Sequence, residues 1–136
     1  MGRQHAVVVV VIVGVWVATA SAQTRPYNVI MKDVASAFAG LRKSVDASDL
    51  AGASDNAGRL EQLFKETEDF WTKFRTKDAI DAASGARELS ASIVAAAGAK
   101  DAQKMRTAAG GLGRFCTTCH DSHREVAPDK SYRIRP

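Results

Sequence analysis

Apolar residues recur every three or four positions along the chain after residue 26, and this repeat divides into four segments. The four sets are Tyr27, Met31, Val34, Phe38, Leu41 and Val45; Ala53, Ala57, Leu60, Phe64, Thr67, Trp71 and Phe74; Ala82, Ala86, Leu89, Ile93 and Ala97; and Met105, Ala109, Leu112, Cys116, Cys119 and His123. This spacing places each set along one face of a helix. The segment from Tyr27 to Ala127 also lacks proline and is rich in alanine, which favours helix.

Residues typical of helix ends separate the four apolar sets. Ser48, Thr76 and Asp101 are good N-caps, and Gly98 is a good C-cap. We therefore predict four helices, at about 27–46, 49–74, 77–97 and 101–125. Because short connections make sequential helices antiparallel, the predicted fold is all-α, an up-down-up-down four-helix bundle. Pro128 should stop the last helix and leave a short basic tail.

The first 22 residues have the layout of a secretory signal peptide. Arg3 precedes an apolar run at 6–18, and Ala20 and Ala22 form an A-x-A cleavage site. The alternative is a membrane anchor, but 13 apolar residues are fewer than the roughly 20 that a membrane-spanning helix needs. We expect residues 23–136 to form one domain, periplasmic or otherwise exported, with no stable membrane span after cleavage.

The chain is mildly basic, with a net charge of +4 that falls to +3 when Arg3 leaves with the signal peptide. The basic residues are scattered along the sequence and do not form a run, so an ordinary solvated surface is the main interpretation. A nucleic-acid partner is not expected from such a distribution. The positive charge is suited to steering the protein toward an acidic partner.

Both cysteines lie in the segment "RFCTTCHDSHRE", residues 114–125. Cys116, Cys119 and His120 stand at i, i+3 and i+4, which share one face of a helix. C-x-x-C-H is the attachment signature of c-type haem. Two thiols at this spacing add to the two vinyl groups of one porphyrin, and the histidine that follows binds the iron. The sequence therefore predicts one covalently attached haem c on the last helix, with His120 as the proximal iron ligand.

Two other sites compete for the same residues. A zinc site would use Cys116, Cys119, His120 and His123, but four ligands on consecutive turns of one helix cannot surround an ion tetrahedrally. A redox dithiol favours the N-terminus of a helix in a βαβ unit, whereas this motif lies late in a helical pattern without predicted strands. Both alternatives are weaker than haem attachment.

The motif on the last of four helices resembles the class II cytochromes c, the family of cytochrome c′ and its low-spin relatives. The segment "CTTCHDSHR" is similar to the family's C-x-x-C-H-x-x-aromatic-R at Cys116, Cys119, His120 and Arg124, and His123 replaces the aromatic residue. The resemblance implies that Arg124 lies beside the proximal face, where it influences the iron or pairs with a haem propionate. A plain surface arginine is the alternative for Arg124.

A second resemblance lies in the first helix, in "YNVIMKDVASAFAGL". In the family, the residue that faces the open side of the iron stands seven positions before a phenylalanine, as Met31 stands before Phe38. Low-spin, electron-carrying members have methionine there, and gas-binding members have leucine or another non-ligand. The resemblance therefore implies an electron carrier with Met31 as the distal iron ligand. The alternative is a five-coordinate protein that binds nitric oxide or carbon monoxide.

Further functions are less favoured. A haem peroxidase needs a distal acid–base group such as histidine, and both His120 and His123 lie on the proximal side, so we do not expect an enzyme. Met105 stands 15 residues before His120 on the same helix and is assigned to the core. A haem protein with only a structural or delivery role stays open. The expected partners are redox proteins of unknown identity, and the resembled family often forms homodimers.

Overall fold

The computed structural model describes residues 25–136, which form four α-helices and a small β-hairpin. The helices are α1 (Tyr27–Asp46), α2 (Leu50–Thr72), α3 (Lys77–Gly98) and α4 (Ala102–His123), and the strands are β1 (Arg124–Val126) and β2 (Tyr132–Ile134). The predicted four-helix, mostly helical fold is confirmed, with helix ends within two residues of those predicted. The predicted signal peptide at residues 1–22 lies outside the described residues, and export stays a prediction.

Within residues 25–136, no helix is both long enough and apolar enough to cross a membrane.

Two of the four helices have an aspartate as N-cap. Asp49 Oδ1 accepts a hydrogen bond from the Gly52 amide at 3.0 Å, and Asp101 Oδ1 accepts one from the Lys104 amide at 2.9 Å. Each bond satisfies a backbone donor that the first helical turn leaves without a partner. Thr76 stands at the N-cap of α3 without a side-chain capping bond. The prediction was right at Asp101 and Thr76 but wrong by one residue at Ser48, where Asp49 is the cap.

The helices end in left-handed residues that are not glycine. Ser48, Arg75 and Lys100 have φ angles of 56°, 56° and 57°. After α3, the Asp101 amide donates to Ala96 O and the Lys100 amide donates to Ala97 O, the pair of bonds typical of a Schellman ending. Gly98 is the last residue of α3, and no glycine in the described part of the chain has a positive φ. The prediction of Gly98 as C-cap was therefore wrong, and Lys100 takes the left-handed position.

The core follows the predicted apolar faces with a small rotation on α1. Ile30 and Ala37 are fully buried, whereas Met31 and Phe38, one position later, are partly buried and pack against the core. On α2 the predicted face is buried as far as Trp71, and Phe74 at its end is 49% exposed. The buried residues at the centre of the other two helices include Ala86, Ile93, Met105 and Leu112.

The helices do not pack equally on all sides. The helix α2 packs extensively on both α1 and α3, and α3 packs on α4, but α1 and α4 touch each other only sparsely. The α1–α4 side is therefore the loosest helix–helix junction of the bundle. This side matters because α4 carries the cysteine motif and α1 carries Met31.

The chain after α4 is a hairpin, which corrects the prediction of a helix to residue 125 and a basic tail. Arg124 has extended backbone angles and pairs with Ile134, and Val126 pairs with Tyr132. The turn is closed by the Ala127 amide, which donates to Ser131 O at 2.8 Å, and by Lys130 with a φ of 66°. A proline and an aspartate between two short runs with β-branched and aromatic residues are typical of a hairpin. The prediction of a helix to residue 125 did not take this pattern into account.

Candidate haem attachment site

The cysteine motif occupies the last two turns of α4. Cys116, Cys119 and His120 are all half-buried, and Cys116 packs against the core. Both cysteines are free thiols. The helix is regular through the motif, so the i, i+3, i+4 spacing places the two thiols and the imidazole on one face, as the sequence predicted.

The environment of the thiols keeps them protonated. Burial raises the pKa of Cys116, and burial followed by the charges of Asp78 and Cys116 raises the pKa of Cys119 to about 11. The motif also lies at the C-terminal end of α4, where the helix dipole disfavours a thiolate. Because a redox dithiol needs a low thiol pKa, this geometry disfavours the dithiol alternative.

His120 is available to bind a metal. Within residues 25–136, neither of its ring nitrogens has a hydrogen-bond partner among the polar contacts of the protein. Burial, followed by the positive charge of Arg124, lowers the pKa of His120. At neutral pH the ring is therefore the neutral imidazole, which is the form that coordinates a metal.

A tetrahedral zinc site is not assembled around the motif. In the described part of the chain, no three histidine, cysteine or acidic side chains gather closely enough to hold a metal ion. His123, the fourth ligand of the zinc alternative, has both ring nitrogens bonded elsewhere. The donor set at the motif is two thiols and one imidazole on a single helix face, which fits a haem that brings its own four nitrogen ligands.

Contacts across the loose α1–α4 side define which residues face each other. The ring of Phe38 lies 3.8 Å from the point where a side chain on Gly113 would begin. Farther along α1, Arg106 of α4 donates to the hydroxyl of Ser48 at 2.6 Å. At the other end, the phenol of Tyr27 is close enough to Cys119 for the thiolate charge to raise its pKa.

Tyr27 belongs to an aromatic layer that closes the motif end of the bundle. Trp71 Nε1 donates to the Tyr27 hydroxyl at 3.0 Å, and Tyr27 stacks on Phe70 with ring centres 4.2 Å apart. The ring of Phe74 lies 5.2 Å from that of Phe70 and 6.1 Å from that of Trp71. Burial is the main reason that the pKa of Tyr27 rises to about 12, and Trp71 beside it is fully buried.

His123 joins α4 to two other parts of the molecule. Its Nδ1 donates to Arg135 O at 2.8 Å, its Nε2 donates to Asp78 Oδ2 at 2.9 Å, and its ring lies 4.9 Å from Trp71. These contacts join the end of α4 to the start of α3 and to the C-terminal hairpin. The sequence placed His123 on the proximal side, but nothing in the sequence pairs it with Asp78, 45 positions away.

Arg124 does not continue the helical face of the motif, because α4 ends at His123. Its guanidinium lies over the ring of Tyr132, 4.6 Å from the ring centre. It remains close enough to His120 to lower the pKa of that residue. The backbone amide of Arg124 donates to His120 O and so closes the last turn of α4, and a role of Arg124 toward a propionate stays a prediction.

Comparison of the chain with protein-family models, with curated proteins and with solved structures finds no match. The site must therefore be interpreted from its own residues.

Proposed function

We propose that this chain is an exported, monohaem c-type cytochrome that carries electrons. Cys116 and Cys119 would hold the haem through thioether bonds, His120 would be the proximal iron ligand, and Met31 the distal ligand. The family that the chain resembles in sequence, the class II cytochromes c, has the same layout. The observation that carries the proposal is the free C-x-x-C-H face at the loose α1–α4 side of the bundle.

The register between α1 and α4 supports Met31 as the distal ligand. Met31 stands seven residues before Phe38, and His120 stands seven residues after Gly113, the residue that faces Phe38. Seven residues are about two helical turns, or roughly 10.5 Å. Trp71 contacts both Tyr27 and His123, and Arg106 contacts Ser48. These contacts indicate that α1 and α4 run in opposite directions, so both steps lead toward the motif end. Met31 and His120 would then face the same level of the bundle.

The same contacts support the antiparallel up-down-up-down bundle that the sequence predicted. Between α3 and α4, Asp78 meets His123, Gly85 meets Phe115 and Leu89 meets Gly111. In these pairs, the residue number in α4 decreases as the residue number in α3 increases. The contacts between α1 and α4 follow the same order. The contacts of His123 with Trp71 and Asp78, and of Trp71 with Tyr27, support a position of the motif near the start of α1, the end of α2 and the start of α3.

Each residue of the site has a role in such a carrier. When bound, haem c supplies an iron that cycles between the ferrous and ferric states. His120, as a neutral imidazole, would donate a lone pair on one side, and the Met31 thioether would fill the other side without a charge. Tyr27 and Trp71 would keep water from the end of the site, because they are joined to each other and buried or half-buried. Fixed ligands on both sides limit rearrangement on redox change.

The first test is an optical spectrum of the purified, haem-loaded protein in both redox states, with and without carbon monoxide. We expect a low-spin spectrum, a weak near-infrared band from the methionine–ferric bond, and no shift with carbon monoxide. The variant Met31→Ala should become high-spin and bind carbon monoxide. Met105→Leu is the matched control, because Met105 is fully buried in the core and should leave the spectrum unchanged.

Other outcomes would redirect the assignment. A high-spin wild-type spectrum that shifts readily with carbon monoxide would remove Met31 as a ligand and indicate a five-coordinate gas-binding protein. A protein that carries no covalent haem after production in a haem-attaching host would contradict the proposal as a whole. Reversible redox titration separates a carrier from a protein that holds haem only for structure or delivery.

A further inference from the structure

Exposed apolar side chains gather beside the motif end of the bundle. Among the described residues, the large hydrophobic side chains that are exposed are Val29, Phe74, Val126, Tyr132 and Ile134. Four of these five lie in residues 73–77, which are the turn after α2 and the first residue of α3, or in the C-terminal hairpin, residues 124–135. We call these two segments together the hairpin surface. Val126 and Tyr132 are its most exposed members, at 62% and 65%.

The same surface carries the positive charge of the chain. Its basic residues are Lys73, Arg75, Lys77, Arg124, Lys130, Arg133 and Arg135, and its acidic residues are Glu125 and Asp129, and all nine are exposed. The excess of five positive charges exceeds the net charge of +4 of the whole protein. Seven of the chain's 19 basic residues therefore lie in these two segments at one end of the folded chain.

The two segments are held together next to the motif. The ring of His123 bridges the Arg135 carbonyl in the hairpin and Asp78 at the start of α3. The Arg135 side chain donates from Nε to the Ser122 carbonyl at 2.9 Å and fastens the second strand to the end of α4. The hairpin surface thus begins within a few residues of Cys119 and His120.

We propose that the hairpin surface is the docking site for an acidic redox partner protein. This inference rests on the proposed electron-carrying function and names the kind of partner that function requires. A surface that combines exposed apolar side chains with charges fits a transient protein interface, in which the apolar groups bind and the charges steer the encounter. Tyr132, whose ring lies under the guanidinium of Arg124, is an aromatic residue of the kind that anchors interfaces.

The arrangement of charges favours this partner over two other occupants. A second copy of the chain would bring two surfaces with five excess positive charges together, which repels. An anionic membrane would attract the cations but repel Glu125 and Asp129, which stand among them. A partner protein can place a basic side chain opposite each of these two acidic residues and carboxylates opposite the basic residues of the hairpin surface.

The rings of the aromatic layer lie between the docking site and the motif helix, within a few ångströms of one another. The ring of Phe74, half exposed in the hairpin surface, lies 6.1 Å from Trp71, whose ring lies 4.9 Å from that of His123 on the motif helix. A partner seated on Phe74 would be separated from α4 by two aromatic rings. The docking site is therefore also a position close to the redox centre.

The test uses the haem-loaded mature protein and a defined acidic probe, a fluorescent 12-residue peptide of alternating glutamate and leucine. We expect the peptide to bind at low salt and to lose at least tenfold in affinity at high salt, because the attraction is electrostatic. Carbodiimide coupling followed by mass spectrometry should join the peptide to Lys73, Lys77 or Lys130. Coupling only to Lys100 or Lys104, at the far end of the bundle, would overturn the proposal.

Matched variants separate the two parts of the surface. The double variant Lys130→Glu/Arg133→Glu should weaken binding by roughly tenfold or more. The control Arg42→Glu/Lys104→Glu makes the same charge change at the other end of α1 and α4 and should leave affinity within about twofold. Val126→Thr keeps the β-branched shape and the charge but removes an apolar contact, and should weaken binding several-fold.

Further measurements decide between the proposal and its rivals. Stronger binding to phosphatidylglycerol vesicles than to the peptide would indicate a membrane surface, and a concentration-dependent dimer that Val126→Thr abolishes would indicate a second copy. Each result would overturn the proposed partner. The optical spectrum of the same sample keeps the two proposals apart. If the haem-loaded protein is redox-active but does not bind the peptide, only the docking site is contradicted. If a chain that takes up no haem binds the peptide, the redox role is contradicted.

Discussion

At Gly85 in α3, the edge of the Phe115 ring occupies the space where a side chain would begin. A Cβ added at Gly85 would stand 2.4 Å from Phe115 Cε1, closer than such atoms approach. Gly85→Ala should therefore lower the free energy of unfolding. An overpacking cost of about 1–3 kcal/mol opposes a helix gain of about 1 kcal/mol. Urea unfolding measures the difference.

Gly58 in α2 is the matched control, because nothing lies within 4 Å of a Cβ added there. Gly58→Ala should keep or raise stability through helix propensity alone, by up to about 1 kcal/mol. If both variants were stabilised equally, Phe115 would not be packed on α3 as described. The result bears on the motif because Phe115 immediately precedes Cys116.

Asp78 makes the stability of the fold depend on pH in the acid range. The hydrogen bond from His123 is the main cause that lowers the pKa of Asp78. A lowered folded-state pKa contributes stability above the unfolded value, about 3.9, and this contribution is lost as the pH falls through the folded value. We expect Asp78→Asn to reduce stability near pH 6 and to flatten the loss of stability below about pH 4.

The urea midpoint between pH 2 and pH 6 tests this prediction. Asp81→Asn is the control, because Asp81 pairs with Lys77 on the same exposed helix surface and does not join separate elements. If Asp78→Asn and Asp81→Asn gave the same pH profile, the bond between His123 and Asp78 would not contribute. The pH range follows from the carboxylate of Asp78 alone.

Two substitutions at the end of α3 should stabilise the protein, whereas the C-cap predicted from the sequence would not give these gains. Lys100 holds the left-handed backbone with a φ of 57°, which costs a side-chain-bearing residue about 1 kcal/mol relative to glycine. Lys100→Gly should therefore stabilise the protein. Gly98 is helical with open space around it, so Gly98→Ala should stabilise as well, by up to about 1 kcal/mol.

Thermal unfolding followed by circular dichroism distinguishes these cases. Were Gly98 the left-handed C-cap that the sequence favoured, Gly98→Ala would destabilise the protein and Lys100→Gly would bring no gain. Lys104→Gly, inside the first turn of α4, is the control and should lower the melting temperature. The double variant should show additive gains, because a glycine at position 100 and an alanine at position 98 act on different parts of the same ending.

The helices were predictable because each depends on a local repeat of apolar residues. The ends of the helices were predicted less well, since Ser48 and Asp49 are both good caps and only the backbone angles distinguish them. The hairpin was missed because Arg124–Val126 is too short for a periodic pattern, and the helical pattern before it was extended. A two-stranded hairpin is marginal alone, and here the contacts of Arg135 with α4 support it.

Across the whole molecule, some residues of the candidate site can be identified from the sequence, whereas others come together only in the folded chain. Cys116, Cys119 and His120 are visible in the sequence because the chemistry needs them within five positions. The bridge from Asp78 through His123 to Arg135 joins three segments far apart in the chain, and no pattern in the sequence links them. The concentration of positive charge is hidden for the same reason, because residues 73–77 and 124–135 come to the same end of the molecule only after folding, through the contacts of His123 with Asp78 and Arg135.

The loose α1–α4 side leads to a last prediction, on how the site depends on its cofactor. Gly110, Gly111 and Gly113 lie in α4 just before the motif, and each weakens a helix by up to about 1 kcal/mol relative to alanine. Because α1 gives α4 little support, we expect a haem-free Cys116→Ala/Cys119→Ala variant to keep most of its helical circular dichroism. It should nevertheless be cut by trypsin after Arg114 and Arg124 at least tenfold faster than the haem-loaded protein, since local opening governs cleavage.

Gly110→Ala in the haem-free background is the control, because open space surrounds a Cβ at this position. It should slow cleavage after Arg114 by strengthening α4 without touching α1. Equal resistance of the haem-free and haem-loaded proteins would mean that packing against α3 alone orders the motif helix. Faster cleavage that Gly110→Ala reverses would mean that the end of α4 is only marginally stable until haem joins it to α1, so that attachment of the cofactor completes the fold.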